Sequence, residues 1–442
     1  MNCIFVCIFN ESNFVKMFYL LLESIFIYGI SDENTELLIY TSTEFMNQIK
    51  KSHLYCESKM RFEINDTCDC IDKACKARLD VFYLESIQRY SKILYLDIDV
   101  LVKDNLNKVF DICTEDILYV IEEGTITGDR DYWGKTLFGN DAYLYEDKSA
   151  FSSGIMLFNQ SEKIKGLFDR IRYDAEHLKY GTSFHDQPFI VYNAFKSRMF
   201  NNKILKDYAV NVDYNIYSDK AIHHFPGGVG VCDHKIHNMT MFLNLLKDYS
   251  IQQYIQITKI YINEYLLPII NKLGIKLVDN LFIEHEDDVF KNKSKNISNV
   301  VLNKNVKHVM EIGFNAGFSA LLMLITNPFV KLTCFDLGEH EYTEPCFKKI
   351  KQMFGDRIQW IDSLKDVSGN FDLIHIRGTK SIDDKKSIEN LQRLSKPGTI
   401  LIMDDYDFPD IHELWDKYSL EYNLKPLDIH VYYSSYHDVK CV

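Results

Sequence analysis

The chain opens on an unbroken apolar run, Cys3-Ile4-Phe5-Val6-Cys7-Ile8-Phe9, which predicts a buried strand. A helical apolar pattern follows from Phe14 to about Tyr28, and then a second apolar run, Glu36-Leu37-Leu38-Ile39-Tyr40. Strand, helix and strand in that order predict a parallel sheet covered by helices. The ligands of such sheets sit beyond the carboxyl ends of the strands, where Asn10, Thr41 and the acids of the next strand fall. That next strand is Ile93-Leu94-Tyr95-Leu96-Asp97-Ile98-Asp99-Val100-Leu101-Val102. Read as extended, it points Asp97 and Asp99 to one side, because residues i and i+2 share a face. From Met239 to about Leu273 the apolar spacing is helical, interrupted by Pro268, and predicts a helical connector. A polar stretch, Lys291 to Asn296, then precedes new strands at Val309–Ile312 and Lys331–Phe335. No internal repeat is evident. The expected organisation is α/β throughout: residues 1–245, a connector over 246–295, and a second domain over 296–442.

Composition narrows the function. With 442 residues, a hydrophobic content of 46% and an aromatic content of 14%, the chain can build two to three packed cores. A formal net charge of −13 argues against nucleic acid or an anionic membrane as the main partner. No run is long enough for a transmembrane helix, and the apolar start lacks a basic leader, so a cytoplasmic protein without a signal peptide is expected. The 11 cysteines are odd in number and irregularly spaced, which favours reduced thiols. Cys56, Cys68, Cys70 and Cys75 cluster, but their spacing fits no common zinc site.

Two carboxylates closing an apolar strand repel each other unless a cation lies between them. Oxygen ligands of this kind suit Mg2+ or Mn2+, which can also hold a substrate's phosphates. Arg78-Leu79 followed by Lys92 to Val102 resembles glycosyltransferase family 8. Three later stretches resemble the same family in the same order: Phe151-Ser152-Ser153-Gly154-Ile155-Met156-Leu157-Phe158-Asn159, His185-Asp186-Gln187-Pro188-Phe189, and Ala221-Ile222-His223-His224-Phe225-Pro226-Gly227-Gly228.

The resemblance implies a GT-A nucleotide-sugar transferase fold and a retaining hexosyl transfer from a nucleotide-sugar donor, UDP-linked by expectation. It implies Asp97, Asp99 and His224 as ligands of Mn2+ or Mg2+. Gln187 and Asp186 would stand at the reacting sugar, with Cys7, Asn10, Arg78, Asp97, Ser153, Gly154, Gly227 and Lys235 among the donor contacts. Family members usually continue from the histidine-glycine motif into Lys-Pro-Trp. This chain has Val229-Gly230-Val231-Cys232-Asp233-His234-Lys235 instead, so Lys235 is carried over for the diphosphate at a different spacing. The alternative reading of Asp186-Gln187 is a cap on a helix beginning at Pro188.

The second half resembles class I S-adenosylmethionine-dependent methyltransferases, through Val309-Met310-Glu311-Ile312-Gly313-Phe314-Asn315-Ala316-Gly317-Phe318-Ser319-Ala320, Asp336 and Asp362. That likeness implies a Rossmann-like methyltransferase fold binding S-adenosylmethionine. Glu311, Gly313, Gly317 and Ser319 would lie at the methionine part, Asp336 at the ribose and Asp362 near adenine. Metal-dependent members carry an aspartate ligand where this chain has Arg377, so Arg377 is expected to pair with Asp404 or Asp405 and exclude the metal.

Three readings follow. The leading one is a glycosyltransferase whose second domain methylates or docks the glycan. The others are a carbohydrate O-methyltransferase targeted by its first half, and a non-enzymatic carbohydrate-binding scaffold. The acceptor, whether protein, lipid or saccharide, stays open, and a homodimer is an assembly the reading admits.

Overall fold

The computed structural model describes all residues except 31, 129–130, 147, 179, 181–184, 212, 227–231, 279–287, 368, 378–390 and 428–436. The chain divides into two compact units, Met1–Leu243 and Asn244–Val442. Both are mixed α/β.

The first unit is built on strands β1 (Asn2–Ile8), β2 (Thr35–Thr41), β3 (Met60–Ile64), β4 (Lys92–Leu96), β5 (Val100–Val102), β6 (Leu118–Thr125), β7 (Ser149–Asn159), β8 (Phe200–Asn201), β9 (Ala209–Asn211) and β10 (Ile222–His224). Seven of them form one sheet in the order β3-β2-β1-β4-β7-β6-β8, and three form a small second sheet, β5-β10-β9. The first four strands of the large sheet run parallel, and β7 returns antiparallel to β4.

Alternation along the central strands explains why both faces are covered. Cys3, Phe5, Ile93 and Tyr95 enter one apolar core, while Ile4, Val6, Ile8, Leu94 and Leu96 enter the other. Strands buried on both faces are near-continuous in apolar residues, as these are. The first helix, Ser12–Ser24, adds Val15, Phe18, Leu21 and Leu22 to the second core.

The run from Ile93 to Val102 is not one extended strand. It pairs with β1 and β7 as far as Leu96, turns through Asp97–Asp99, and resumes as β5 in the other sheet. The turn is anchored from both sheets: Asp97 N donates to Gly154 O at 2.8 Å, and Phe225 N donates to Asp99 O at 2.8 Å. The two aspartates converge because the chain changes sheets between them, and strand alternation plays no part.

The second unit has strands β11 (His308–Ile312), β12 (Lys331–Phe335), β13 (Ile358–Ile361), β14 (Leu373–Ile376), β15 (Ile400–Asp404), β16 (Lys425–Pro426) and β17 (His437–Cys441). They form one sheet in the order β13-β12-β11-β14-β15-β17-β16, parallel except for β17, which is antiparallel to both neighbours. The helical stretch after residue 230 comprises Cys232–Tyr261, a wide turn at Ile262–Leu266, and Leu267–Leu273 with Pro268 in its first turn. The polar stretch from Lys291 to Asn296, expected as a connector, lies inside a helix, Asp288–Val301. Its inward side carries Lys293, Asn296 and Ser298 beside Ile297, Val300 and Val301, all buried, so burial there does not follow hydrophobicity. Among the described residues no helix is long and apolar enough to cross a membrane.

Candidate metal and donor site

Asp97, Asp99 and His224 each offer a ligand atom, and the three atoms lie within 4.8 Å of one another. His224 Nε2 is 3.3 Å from Asp99 Oδ1 and 4.0 Å from Asp97 Oδ2. No other group of three or more His, Cys, Asp or Glu side chains converges in this way among the described residues, so Cys56, Cys68, Cys70 and Cys75 form no such group.

Each ligand is oriented by a neighbour. His224 Nδ1 lies 2.9 Å from Asn211 Oδ1, its register partner on β9, which directs Nε2 at the carboxylates. Such outer partners fix ring orientation in metal sites. Tyr95, two residues before Asp97, donates its hydroxyl to Asp97 Oδ1 at 2.5 Å. Lys235 Nζ lies 2.5 Å from Asp99 Oδ2. Burial pushes the Asp97 pKa up, with Asp99 adding to the rise and Arg78 and His224 opposing it. Burial also opposes the charge on Asp99, yet His224 and Lys235 hold its pKa well below the usual carboxylate range. The His224 ring is disfavoured as a cation by burial, but Asp99 and then Asp97 raise its pKa.

Beneath the cluster lies Gly154. A Cβ there would stand 2.4 Å from His224 Cε1, 2.7 Å from His224 Nε2 and 2.8 Å from Asp97 Oδ2, so no other residue fits without displacing a ligand. Two carboxylates and an imidazole held around one point suit Mg2+ or Mn2+, and the residues present fit such a cation.

Arg78 organises the other side. Its Nε and Nη2 clamp Asp186 at 2.6 and 2.8 Å, Nη1 donates to Ser153 O at 2.7 Å and to Asp97 Oδ1 at 3.3 Å, and Nη2 also donates to Ser153 Oγ at 2.9 Å. All five guanidinium protons have acceptors. The site needs this because β7 bulges against β6: Val120 pairs with Met156, but Ile121 pairs with Ser152. The bulge frees the polar groups of Ser153 from the ladder, and they turn to Arg78 and Gln187. Gln187 Oε1 accepts from Ser153 N at 3.2 Å and from Ser153 Oγ at 3.1 Å, while Gln187 Nε2 donates to Tyr132 O at 3.2 Å. Asp186 stands at the N-cap of the helix Gln187–Ser197, but its side chain makes no capping bond.

Of the residues singled out from sequence, Arg78, Asp97, Asp99, Ser153, Gly154, Asp186, Gln187, His224 and Lys235 form one connected cluster. Cys7 lies at the end of β1 with burial pushing its thiol well up. Asn10 is exposed, with a left-handed φ of 76°. Gly227 lies outside the described residues. Asn211 was not foreseeable, since nothing in the short strand Ala209–Asn211 marks it as the histidine's partner. Tyr95 was, because it precedes Asp97 by two in the same apolar run.

In the second unit, Gly313 follows β11 with φ 91°, where a Cβ would meet Arg377 O at 2.0 Å. Glu311 and Ser319 are both fully buried; Ser319 Oγ donates to Glu311 Oε1, and His375 Nδ1 lies 3.3 Å from the same oxygen. Asp336 closes β12 and accepts from Asn315 N at 2.7 Å and Gly338 N at 2.8 Å. Gly317 heads the helix Phe318–Thr326, and Asp362 is exposed. Arg377 Nε is 3.6 Å from Asp404 Oδ2. A second cation, Lys293, ion-pairs with Asp404 and lies 3.8 Å from Asp405. Sequence reading missed Lys293, which belongs to the helix hidden in the polar stretch.

The first unit is a mixed α/β domain whose Asp-Asp-His cluster is able to hold a cation. Residues 21–225 match the family model "Glycosyl transferase family 8". No curated protein sequence matches the chain. Similar solved structures include the WbbM bifunctional glycosyltransferase, 16% identical with a TM-score of 0.39, covering 54% of this chain and 49% of that one. This chain therefore spans about half of that protein's length. The galactosyltransferase LgtC, in complex with donor and acceptor sugar analogs, is 16% identical over 55% of this chain and 95% of its own, TM-score 0.39. The glycosyltransferase GlyE of Streptococcus pneumoniae TIGR4 is 11% identical over 89% of both chains, TM-score 0.36.

Proposed function

We propose that the first unit, of GT-A type, transfers a hexose from a UDP-sugar to a hydroxyl acceptor with retention of configuration, dependent on Mn2+ or Mg2+. The observation that carries this reading is the convergence of Asp97, Asp99 and His224 within the segment matching family 8. Those three residues would hold the cation, which neutralises the diphosphate leaving group. Arg78 fixes Asp186 and Ser153 in place, and each Asp186 oxygen keeps a lone pair for a sugar hydroxyl. Gln187, held by Ser153 and Tyr132, presents its amide beside the anomeric carbon. Asn10, Cys7, Gly227 and Lys235 complete the donor contacts.

Donor hydrolysis by the full-length protein, measured with Mn2+ and in chelator, tests the proposal. Turnover is expected with the metal and lost in Asp99→Asn. Equal turnover in chelator would refute it.

The second unit supports a further reading, S-adenosylmethionine binding with methyl transfer to the glycan. What favours it is the sheet order with its reversed β17, the glycine turn after β11 and the acid closing β12. Arg377 and Lys293 at Asp404 supply fixed positive charge, so binding would proceed without a divalent metal. Titration calorimetry with S-adenosylmethionine should give the same affinity with and without Mg2+; no binding would leave the unit a docking module. The intact Asp97, Asp99, His224, Asp186 and Gln187 set favours an enzyme over a scaffold.

A further inference from the structure

The candidate site of the first unit sets its carboxylates against cations. Asp186 is clamped by Arg78, and Asp97 takes a hydroxyl from Tyr95 and a long contact from the same arginine. Asp99, 7% exposed, is met on one oxygen by the His224 ring and on the other by the ammonium of Lys235. Lys235 is thus the full cation seated on the carboxylate that is also a candidate metal ligand.

We propose that Lys235 is the internal counter-ion of this site, competing with a divalent cation for Asp99. The inference rests on reading Asp97, Asp99 and His224 as metal ligands. It follows from crowding and charge. Lys235 Nζ at 2.5 Å occupies Asp99 Oδ2, and a doubly charged ion bound between Asp99, Asp97 and His224 would lie within a few ångströms of it. At about 4 Å, two positive charges repel appreciably even where solvent screens them.

The lysine can leave where an arginine clamped like Arg78 could not. Its ammonium ends a flexible four-carbon stem and is held by a single carboxylate oxygen, whereas Arg78 is locked by five bonds. Lys235 therefore keeps the buried carboxylate satisfied when no metal is present and weakens metal binding until it swings aside. Once released it is a free cation beside the metal, suited to the phosphoryl oxygens of a diphosphate. Metal and anion binding are then coupled through one side chain, and the coupling is reciprocal.

The test uses the full-length protein and Mn2+ alone, followed by electron paramagnetic resonance of the free ion, without nucleotide. Lys235→Met and Lys235→Gln, each checked for the wild-type melting temperature, should bind Mn2+ on the order of tenfold tighter than wild type, within the usual range for coupled sites. Lys235→Arg should bind no more tightly than wild type, and Asp99→Asn should not bind. Unchanged or weaker binding in both neutral variants, with Asp99-dependent binding in wild type, would overturn the competition and leave the metal site standing. Absence of Mn2+ binding in every protein would overturn both.

Discussion

Gly154→Ala isolates the steric demand of the metal cradle. The φ of Gly154 lies outside the left-handed region, so its backbone accepts alanine and any effect comes from the added methyl. That methyl would sit 2.4 Å from His224 Cε1 and 2.8 Å from Asp97 Oδ2, while carbon contacts settle at about 3.5–4.0 Å. Roughly 1 Å of retreat is therefore required. Little is on offer: His224 is 4% exposed, bonded to Asn211 behind it and paired between β5 and β9, and β7 is itself paired with β4 and β6. Overpacking of this kind costs about 1–3 kcal/mol. A metal site tolerates ligand displacements of only about 0.2 Å, so Mn2+ affinity should fall by about tenfold or more, as it does when oriented ligands are disturbed. Calorimetric Mn2+ titration without sugar, beside thermal unfolding, reads both effects. If the methyl merely blocked the sugar, the donor KM would rise while metal affinity held; Mn2+ affinity within about twofold of wild type would refute the cradle argument.

Three further outcomes are expected. Arg78→Gln leaves Asp186 buried without its cation, a loss of about 3–5 kcal/mol; thermal unfolding should show it, and a shift of under about 2 °C would sink the claim. On the proposed placement of Gln187 at the anomeric carbon, Gln187→Ala should lower kcat more than it raises donor KM, since a contact there counts mainly as the sugar bond breaks; lost stability with normal turnover per folded molecule would make it a brace. Burial favours protonation of Glu36, but Arg61 at 3.1 Å, the Tyr90 hydroxyl at 3.0 Å and Arg89 lower its pKa below the ordinary value. A carboxylate depressed in the folded state stabilises fully above its unfolded pKa, about 4.3, and loses that contribution as pH falls through the lower folded value. Melting temperature against pH should accordingly fall less steeply below about pH 5 in Glu36→Gln than in wild type.

How much of this was legible depended on distance along the chain. The unbroken apolar runs announced the strands, because burial on both faces demands them. The Asp-Asp-His cluster was legible as types of residue in order along the chain, but its geometry was not: Asp97 and Asp99 meet at a change of sheet, which sequence alternation cannot express. Arg78 and Asp186 were each singled out, yet their pairing across 108 positions was not. Lys293 escaped because a helix whose inward face is lysine, asparagine and serine reads as solvent-loving. Asn211 carried no signal, since its role exists only through the register of β9 against β10.

The reversed β17 has a consequence for how the second unit is made. β15 and β16 are not paired with each other; the strand between them is the last of the seven to leave the ribosome. Until residues 437–441 emerge, β15 presents one side of Ile400-Leu401-Ile402-Met403 as an open, apolar parallel edge. Such edges invite pairing with other chains. Nascent protein stalled before β17 should thus depend on chaperones, and truncation ahead of residue 437 should yield aggregates while the first unit, complete by Leu243, remains folded.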